Sequence, residues 1–352
     1  MKKKQIVNPL NPTTNKLGSG VLLADVQAAV AKSGYPLQTI IADSLKNDFR
    51  TQQEWSYIDR DTKELRTLDI FAEKWLFEIQ DVNQYRIRPT LDLLIECKHS
   101  ELPFVFFLSQ SKPWSRDFPL LAGLSSTSLT LTTDDDASSY VFSIINALGL
   151  DQHKFIIEDV DYCMSFSKCV RKGKNLELSG DDPFQKLVLP LLKSMHHFRS
   201  AQTPSKTAFY FDCHLVFGIG VLDAPMVGVR VFDKSNELIL LPWVRVLRHE
   251  SYDDEHWTAR SKLFAIDIVH KDFFNDYLNN HLMPYARDFA KFVFKHEQII
   301  ATGQGFAKSL GSTGSWNLEP RLEPKRLKDK VSRTKIITKN ILRLLIKRKR
   351  LD

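Results

Sequence analysis

The sequence predicts a mixed α/β protein in which a central mixed sheet is flanked by helices. Three observations carry that expectation. Two stretches with helical periodicity open the chain, three stretches with strand-like alternation follow between Glu54 and His99, and the second half interleaves dense aliphatic runs with further amphipathic helices. Aliphatic strands of that density are buried on both faces and need helices above and below them.

Taken in order, residues 1–19 are an N-terminal arm and GVLLADVQAAVAKSG predicts the first helix. PLQTIIADSLKNDF predicts the second, with Leu37, Ile40, Ile41, Leu45 and Phe49 as its apolar stripe. EWSYIDRDT, LRTLDIFAEKWLFEI and RPTLDLLIECKH alternate as paired strands do, and PFVFFLS continues them. SLTLTTDDDASSYVFSIINALGL reads as a turn feeding a helix, with Asp134, Asp135 and Asp136 placed to cap it rather than to bind metal. DPFQKLVLPLLKSMHHF is a helix bent near Pro190. FYFDCHLVFGIGVLDAPMVGVRVFD, ELILLPWVRVLRHES and KLFAIDIVH are buried strands, and KDFFNDYLNNHLMPYARDFAKFVF closes the body as a long amphipathic helix. The main domain is therefore expected over 20–300, a Gly/Ser-rich linker over 301–316 and a basic tail over 317–352.

The formal net charge of +7 is unevenly spread. The tail concentrates Lys325, Arg326, Lys328, Arg343, Lys347, Arg348, Lys349 and Arg350, a density suited to phosphate backbones through counterion release. Ile337, Ile341, Leu344 and Leu345 recur there at helical spacing, so the tail is either an amphipathic helix that docks on the body, on nucleic acid or on an anionic surface, or a solvated basic extension. Cys97, Cys163, Cys169 and Cys213 have neither CxxC spacing nor a secreted framework, which predicts reduced thiols and no zinc site. Neither a signal peptide nor an apolar run of membrane-spanning length is present, so a soluble cytoplasmic protein without integral membrane association is expected.

The chemistry-bearing stretch is LDLLIECKHSELPFVFF, Leu91 to Phe107. Side chains alternate along a strand, so Asp92, Leu94, Glu96 and Lys98 share one face while Leu93, Ile95 and Cys97 share the other. A charge pair on so apolar a strand is costly unless it is paired or bound to a metal. Asp69 lies on the preceding strand between Leu68 and Ile70, which are expected on the opposite face from it. If the two strands pair, Asp69, Glu96 and Lys98 converge. Two carboxylates and the Cys97 carbonyl are hard oxygen ligands for Mg²⁺ or Mn²⁺, and the Lys98 ammonium would orient a nucleophile or stabilise developing charge. The bland alternative is an exposed strand face with a cross-strand ion pair.

These residues, Asp69 in RTLDIFA and Glu96 and Lys98 in IECK, resemble the PD-(D/E)XK or restriction-endonuclease-like phosphodiesterase superfamily, over roughly 34–107. The resemblance implies a metal-dependent nuclease using Mg²⁺ or Mn²⁺, acting on DNA rather than RNA, in bacterial defence or a mobile element, and in some relatives as a homodimer. It implies one departure: Gln38, in GYPLQTIIADSL, stands where such relatives carry a glutamate. An amide lacks the charge of a carboxylate, so the rival reading is a nuclease-fold protein that binds nucleic acid without turnover. Asp43, His99, Ser100 and Gln185 are secondary candidates near this site. His196 and His197 diverge on a helix and do not share a metal, and His249 and His256 flank an acidic turn. GIG in the VFGIGVLDAP strand lacks the rest of a dinucleotide fingerprint, and GxSxG, HExxH and Walker A sequences are absent, which removes support for serine-hydrolase, zinc-protease and P-loop readings.

Overall fold

The computed structural model describes residues 7–78, 84–110, 118–133, 138–250, 262–308 and 318–324. The helix Leu23–Lys32 buries none of its residues, whereas Tyr35–Leu45 buries Leu37, Gln38, Ile41, Ala42 and Leu45 along one face. Strands β1 (Arg50–Ile58), β2 (Leu65–Trp75) and β3 (Ile87–His99) follow as an antiparallel meander. Then come β4 (Phe104–Leu108), β5 (Leu120–Ala122), β6 (Ser128–Thr132) and β7 (Ser139–Ser143). After short helical turns between 144 and 157, β8 (Tyr162–Lys172) and β9 (Asn175–Ser179) form a hairpin. A helical run over 181–201 leads to β10 (Phe211–Asp223), β11 (Met226–Phe232), β12 (Ser235–Leu240), β13 (Trp243–Glu250) and β14 (Lys262–His270). A second helical run over 271–295, the helix Glu297–Thr302, β15 (Gln304–Ala307) and β16 (Leu322–Pro324) complete the described chain.

Among the described residues, twelve strands join in one mixed sheet, ordered β1-β2-β3-β10-β14-β13-β8-β4-β11-β12, with β5 on β10 and β9 on β8. β3 is central: it runs antiparallel to β2 and parallel to β10, in register from Ile87↔Phe211 to His99↔Asp223. Its alternation sorts the core. Leu93, Ile95 and Cys97 pack with Leu37 and Ile41 of the second helix and with Tyr285, Phe289 and Val293 of Met283–Lys295. Leu94 points the other way, into a cluster with Leu187, Leu191, Met195 and Phe198 of the 181–201 run. Helices therefore cover both faces of the sheet.

The GIG of β10 is a packing device. A Cβ at Gly218 would lie 2.8 Å from Met195 Sδ, and one at Gly220 2.9 Å from Leu187 Cδ1, so these glycines let the 181–201 run approach the strand closely. Both long helical runs widen into π-type turns just before a proline: Phe184–Val188 precedes Pro190, and Tyr277–Leu282 precedes Pro284. A proline ring clashes with the carbonyl four residues back, and a wider turn relieves that clash.

Four expectations need correction. The stretch read as a turn feeding a helix is a β6–β7 hairpin followed by only one helical turn, Ile144–Ala147, because the Leu129 and Leu131 side chains are buried in alternation. ELILLPWVRVLRHES divides at Leu241 and Pro242 into β12 and β13. β8 and β9 carry no element in the sequence reading. Residues 301–308, expected to open a linker, finish a helix and form β15, which sits between β6 and β16 in a four-stranded sheet, order β16-β15-β6-β7. Asp134, Asp135, Asp136, His256 and the basic cluster from Lys325 to Arg350 lie outside the described residues.

Candidate active site

β2 and β3 stay paired from Trp75↔Thr90 to Ile70↔Ile95, and the ladder ends there. Just beyond it, the Cys97 amide donates to Asp69 Oδ2 at 2.7 Å. A side chain thus takes the place of a ladder bond, and the strands part at the residues the sequence singles out. Leu68 and Ile70, expected together on one face, lie in different core clusters, so β2 turns over at Asp69.

The cause sits on β1. Gln53 pairs with Ile70 and Trp55 with Leu68, which sets Glu54 opposite Asp69, and Glu54 has a φ of 51°. A non-glycine residue in that left-handed region carries strain of order ~1–3 kcal/mol that its surroundings must hold in place. They do so through Gln38, whose Nε2 donates to Glu54 Oε1 and to the Asp69 carbonyl, each at 2.9 Å. Both partners are acceptors, so the amide must present its NH₂ group here. Glu54 is a residue that sequence reasoning missed; its only signal was a carboxylate at the start of the strand neighbouring Asp69.

Glu96 is buried and pairs through Oε1 with the Lys98 ammonium, while its Oε2 is buried without a hydrogen-bond partner. Burial pushes the Glu96 carboxyl up to about 7; Lys98 and the Asp69 backbone amide oppose that rise and the Asp69 carboxylate adds to it. Burial likewise raises Asp69, against Lys98 and the Cys97 amide. Burial alone would lower Lys98, but Glu96 and Asp69 outweigh it and keep the ammonium charged. The Cys97 thiol is raised by burial and is inert, whereas its carbonyl oxygen stands 3.8 Å from where a Cβ on Gly34 would be, at the start of the Tyr35–Leu45 helix. Gln38, Asp69, Glu96, Cys97 and Lys98 are accordingly brought to one end of the sheet.

Immediately past Lys98, a cleft of about 740 Å³ opens at the ends of β3, β10 and β14, lined among others by His99, Ser100, Asp223, His270 and Lys271. Asp223 holds His99 Nδ1 at 3.0 Å and Lys271 Nζ at 2.9 Å, so the expected neighbour His99 faces this cleft. Asp43 is exposed and pairs with Lys46, and Gln185 is exposed; neither joins the site. His196 and His197 diverge, one against Phe264 and the other against Trp55 and Tyr57.

No family model, curated protein or solved structure matches the chain. What the site can do therefore rests on its own atoms. Two carboxylates with raised pKa, one bearing an unpartnered buried oxygen, stand beside a charged ammonium where two strands separate; such a donor set suits a hard divalent cation. Among the described residues a separate group of ligand-type side chains, Glu73, Asp92 and His214, brings one ligand atom from each within 4.8 Å of the others, on the same face of β3. No described helix is long and apolar enough to cross a membrane.

Proposed function

We propose that this chain is a divalent-cation-dependent phosphodiesterase of the PD-(D/E)XK kind, with a restriction-endonuclease-like core, cutting DNA rather than RNA. The observation that carries the reading is Glu96 Oε2, a buried carboxylate oxygen with no partner, beside Asp69 and Lys98 at the point where β2 and β3 part. A buried acceptor left bare costs about 1–3 kcal/mol, which a bound cation would recover. The donor chemistry suits such an ion: Asp69, Glu96 and the Cys97 carbonyl would hold Mg²⁺ or Mn²⁺. The cation, when bound, would supply Lewis acidity at a phosphodiester and lower the pKa of water.

The chain's own groups do the rest. Lys98, held charged by the two carboxylates, would orient the attacking water or stabilise charge developing on the phosphate. Gln38 would position Glu54 and Asp69 without touching substrate. The basic residues from Lys325 to Arg350 would add sequence-independent affinity for the backbone.

The test is cleavage of supercoiled plasmid, single-stranded DNA and RNA in Mg²⁺ or Mn²⁺ by the wild type and Lys98→Ala. Metal-dependent cutting of DNA that drops at least ~100-fold in Lys98→Ala, with DNA binding retained, is the expected outcome. A wild type that binds DNA in a salt-sensitive way and cuts none of the substrates would instead establish the binding protein without turnover.

A further inference from the structure

The geometry points to a second cation site, formed by Glu73, Asp92 and His214, that takes a first-row transition-metal ion such as Zn²⁺. Glu73 of β2 and Asp92 of β3 are register partners, so their side chains stand on one face. His214 of β10 lies opposite Thr90 in the adjoining parallel register. One ligand atom from each of the three lies within 4.8 Å of the others.

The polar bookkeeping at Asp92 is incomplete. Its side chain is fully buried, and the two polar groups beside it, Thr90 Oγ1 and His214 Nδ1, both contact the same oxygen, Oδ2, at 2.9 Å and lie 2.9 Å from each other. Oδ1 is buried with no hydrogen-bond partner. Native cores seldom leave a carboxylate oxygen so exposed to apolar surroundings. The charge is also unbalanced. Glu73 and Asp92 present two carboxylates to each other across the register, with the His214 imidazole against Asp92. A cation among the three side chains would meet the bare Asp92 Oδ1 and balance the two facing carboxylates.

The donor set chooses the ion. An imidazole with two carboxylates suits zinc or manganese far better than Mg²⁺, which prefers an all-oxygen shell and retains its waters. The Thr90 hydroxyl would keep Oδ2 and so fix the Asp92 carboxylate, as groups hydrogen-bonded to metal ligands commonly do. This ion would tie β2, β3 and β10 together. It cannot be the one proposed at Glu96: Asp92 and Glu96 are four residues apart on one strand, roughly 13 Å at ~3.3 Å per residue.

Titration of the chelator-treated full chain with ZnCl₂, with MgCl₂ in parallel, tests the assignment calorimetrically; visible absorption of added Co²⁺ gives a second readout. The wild type should take up one equivalent of Zn²⁺ that Glu73→Gln, Asp92→Asn and His214→Gln each bind at least tenfold more weakly, and that Glu96→Gln binds as the wild type does. Co²⁺ should show ligand-field bands that the first three variants lose. Glu73 is half-buried, so its variant keeps the test decisive if the two core substitutions do not fold. No such equivalent in the wild type, or its loss in Glu96→Gln with retention in Glu73→Gln, overturns the site.

Discussion

At Glu54 a single residue in the left-handed region re-aims a carboxylate toward the end of a neighbouring strand, and Gln38 is what holds it there. This changes the meaning of the amide. In the sequence Gln38 looks like a lost glutamate, but both of its observed contacts require a donor, which a glutamate supplies only when protonated. Gln38→Glu is therefore expected to weaken the site rather than restore it. It should lose about 1–3 kcal/mol of stability in urea unfolding at pH 8, because it sets a carboxylate against Glu54 Oε1 and the Asp69 carbonyl. Glu54→Gln in the same chain should recover part of that loss. A Gln38→Glu variant as stable as the wild type would show that the helix and β1 are not coupled through this hydrogen bond.

At the scale of elements, the β1–β2 hairpin is pinned to the helix that covers it by one buried aspartate. Asp59 accepts from the Asp61 amide at 2.9 Å, and Lys193 Nζ of the 181–201 run lies 2.7 Å from its Oδ2, with Arg66 Nε at 2.8 Å. Burial alone would raise its pKa, but the hydrogen bonds from Lys193, Asp61 and Thr62 outweigh burial and hold it at about 2. A carboxyl depressed in the folded state stabilises above its unfolded pKa and loses that contribution as pH falls through the folded value. Asp59→Asn should therefore cost on the order of 2 kcal/mol at neutral pH, and the gap between variant and wild type should close as the pH falls from about 4 to about 2. Guanidinium unfolding at stepped pH measures it; a gap constant across that window would assign the cost to packing. Because the hairpin carries Glu54 midway along β1 and Asp59 at its turn, the same element that shapes the site is fastened to the helical layer of the 181–201 run.

For the whole molecule, the far half of the sheet turns on Arg245. It is fully buried, pairs in register with Asp267 across β13 and β14, and contacts Asp267 through two nitrogens at 2.6 and 2.9 Å. It also donates to the Phe155 carbonyl, lies over the rings of Phe118 and Phe155, and shares Asp267 with the Tyr277 hydroxyl. A strand pair, a short helix and the long C-terminal helical run thus meet at one ion pair. Removing one partner strands the other charge, so Arg245→Met should cost about 3–5 kcal/mol, while Arg245→Met with Asp267→Leu should recover much of it. Chemical denaturation reads both; a single variant within ~1 kcal/mol of the wild type would mean that the rings, rather than the charges, carry the contact.

Alternation and periodicity by themselves determined the mixed sheet with helices on both faces and the face shared by Asp92, Glu96 and Lys98, because a two-residue or 3.6-residue period is written in neighbouring residues, whereas the pairing of the Asp69 and Glu96 strands stayed a condition until the register was seen. The basic tail and the reduced thiols were equally plain in composition. Only the tertiary structure decided that Glu54 faces Asp69, that β2 turns over there, that His214 reaches Asp92 from a strand more than a hundred residues away, and that Leu129 and Leu131 belong to a second sheet. Each of these depends on register between distant segments or on one residue's backbone angle. A local pattern fixes which way a side chain points from its own strand, but it does not fix what stands opposite.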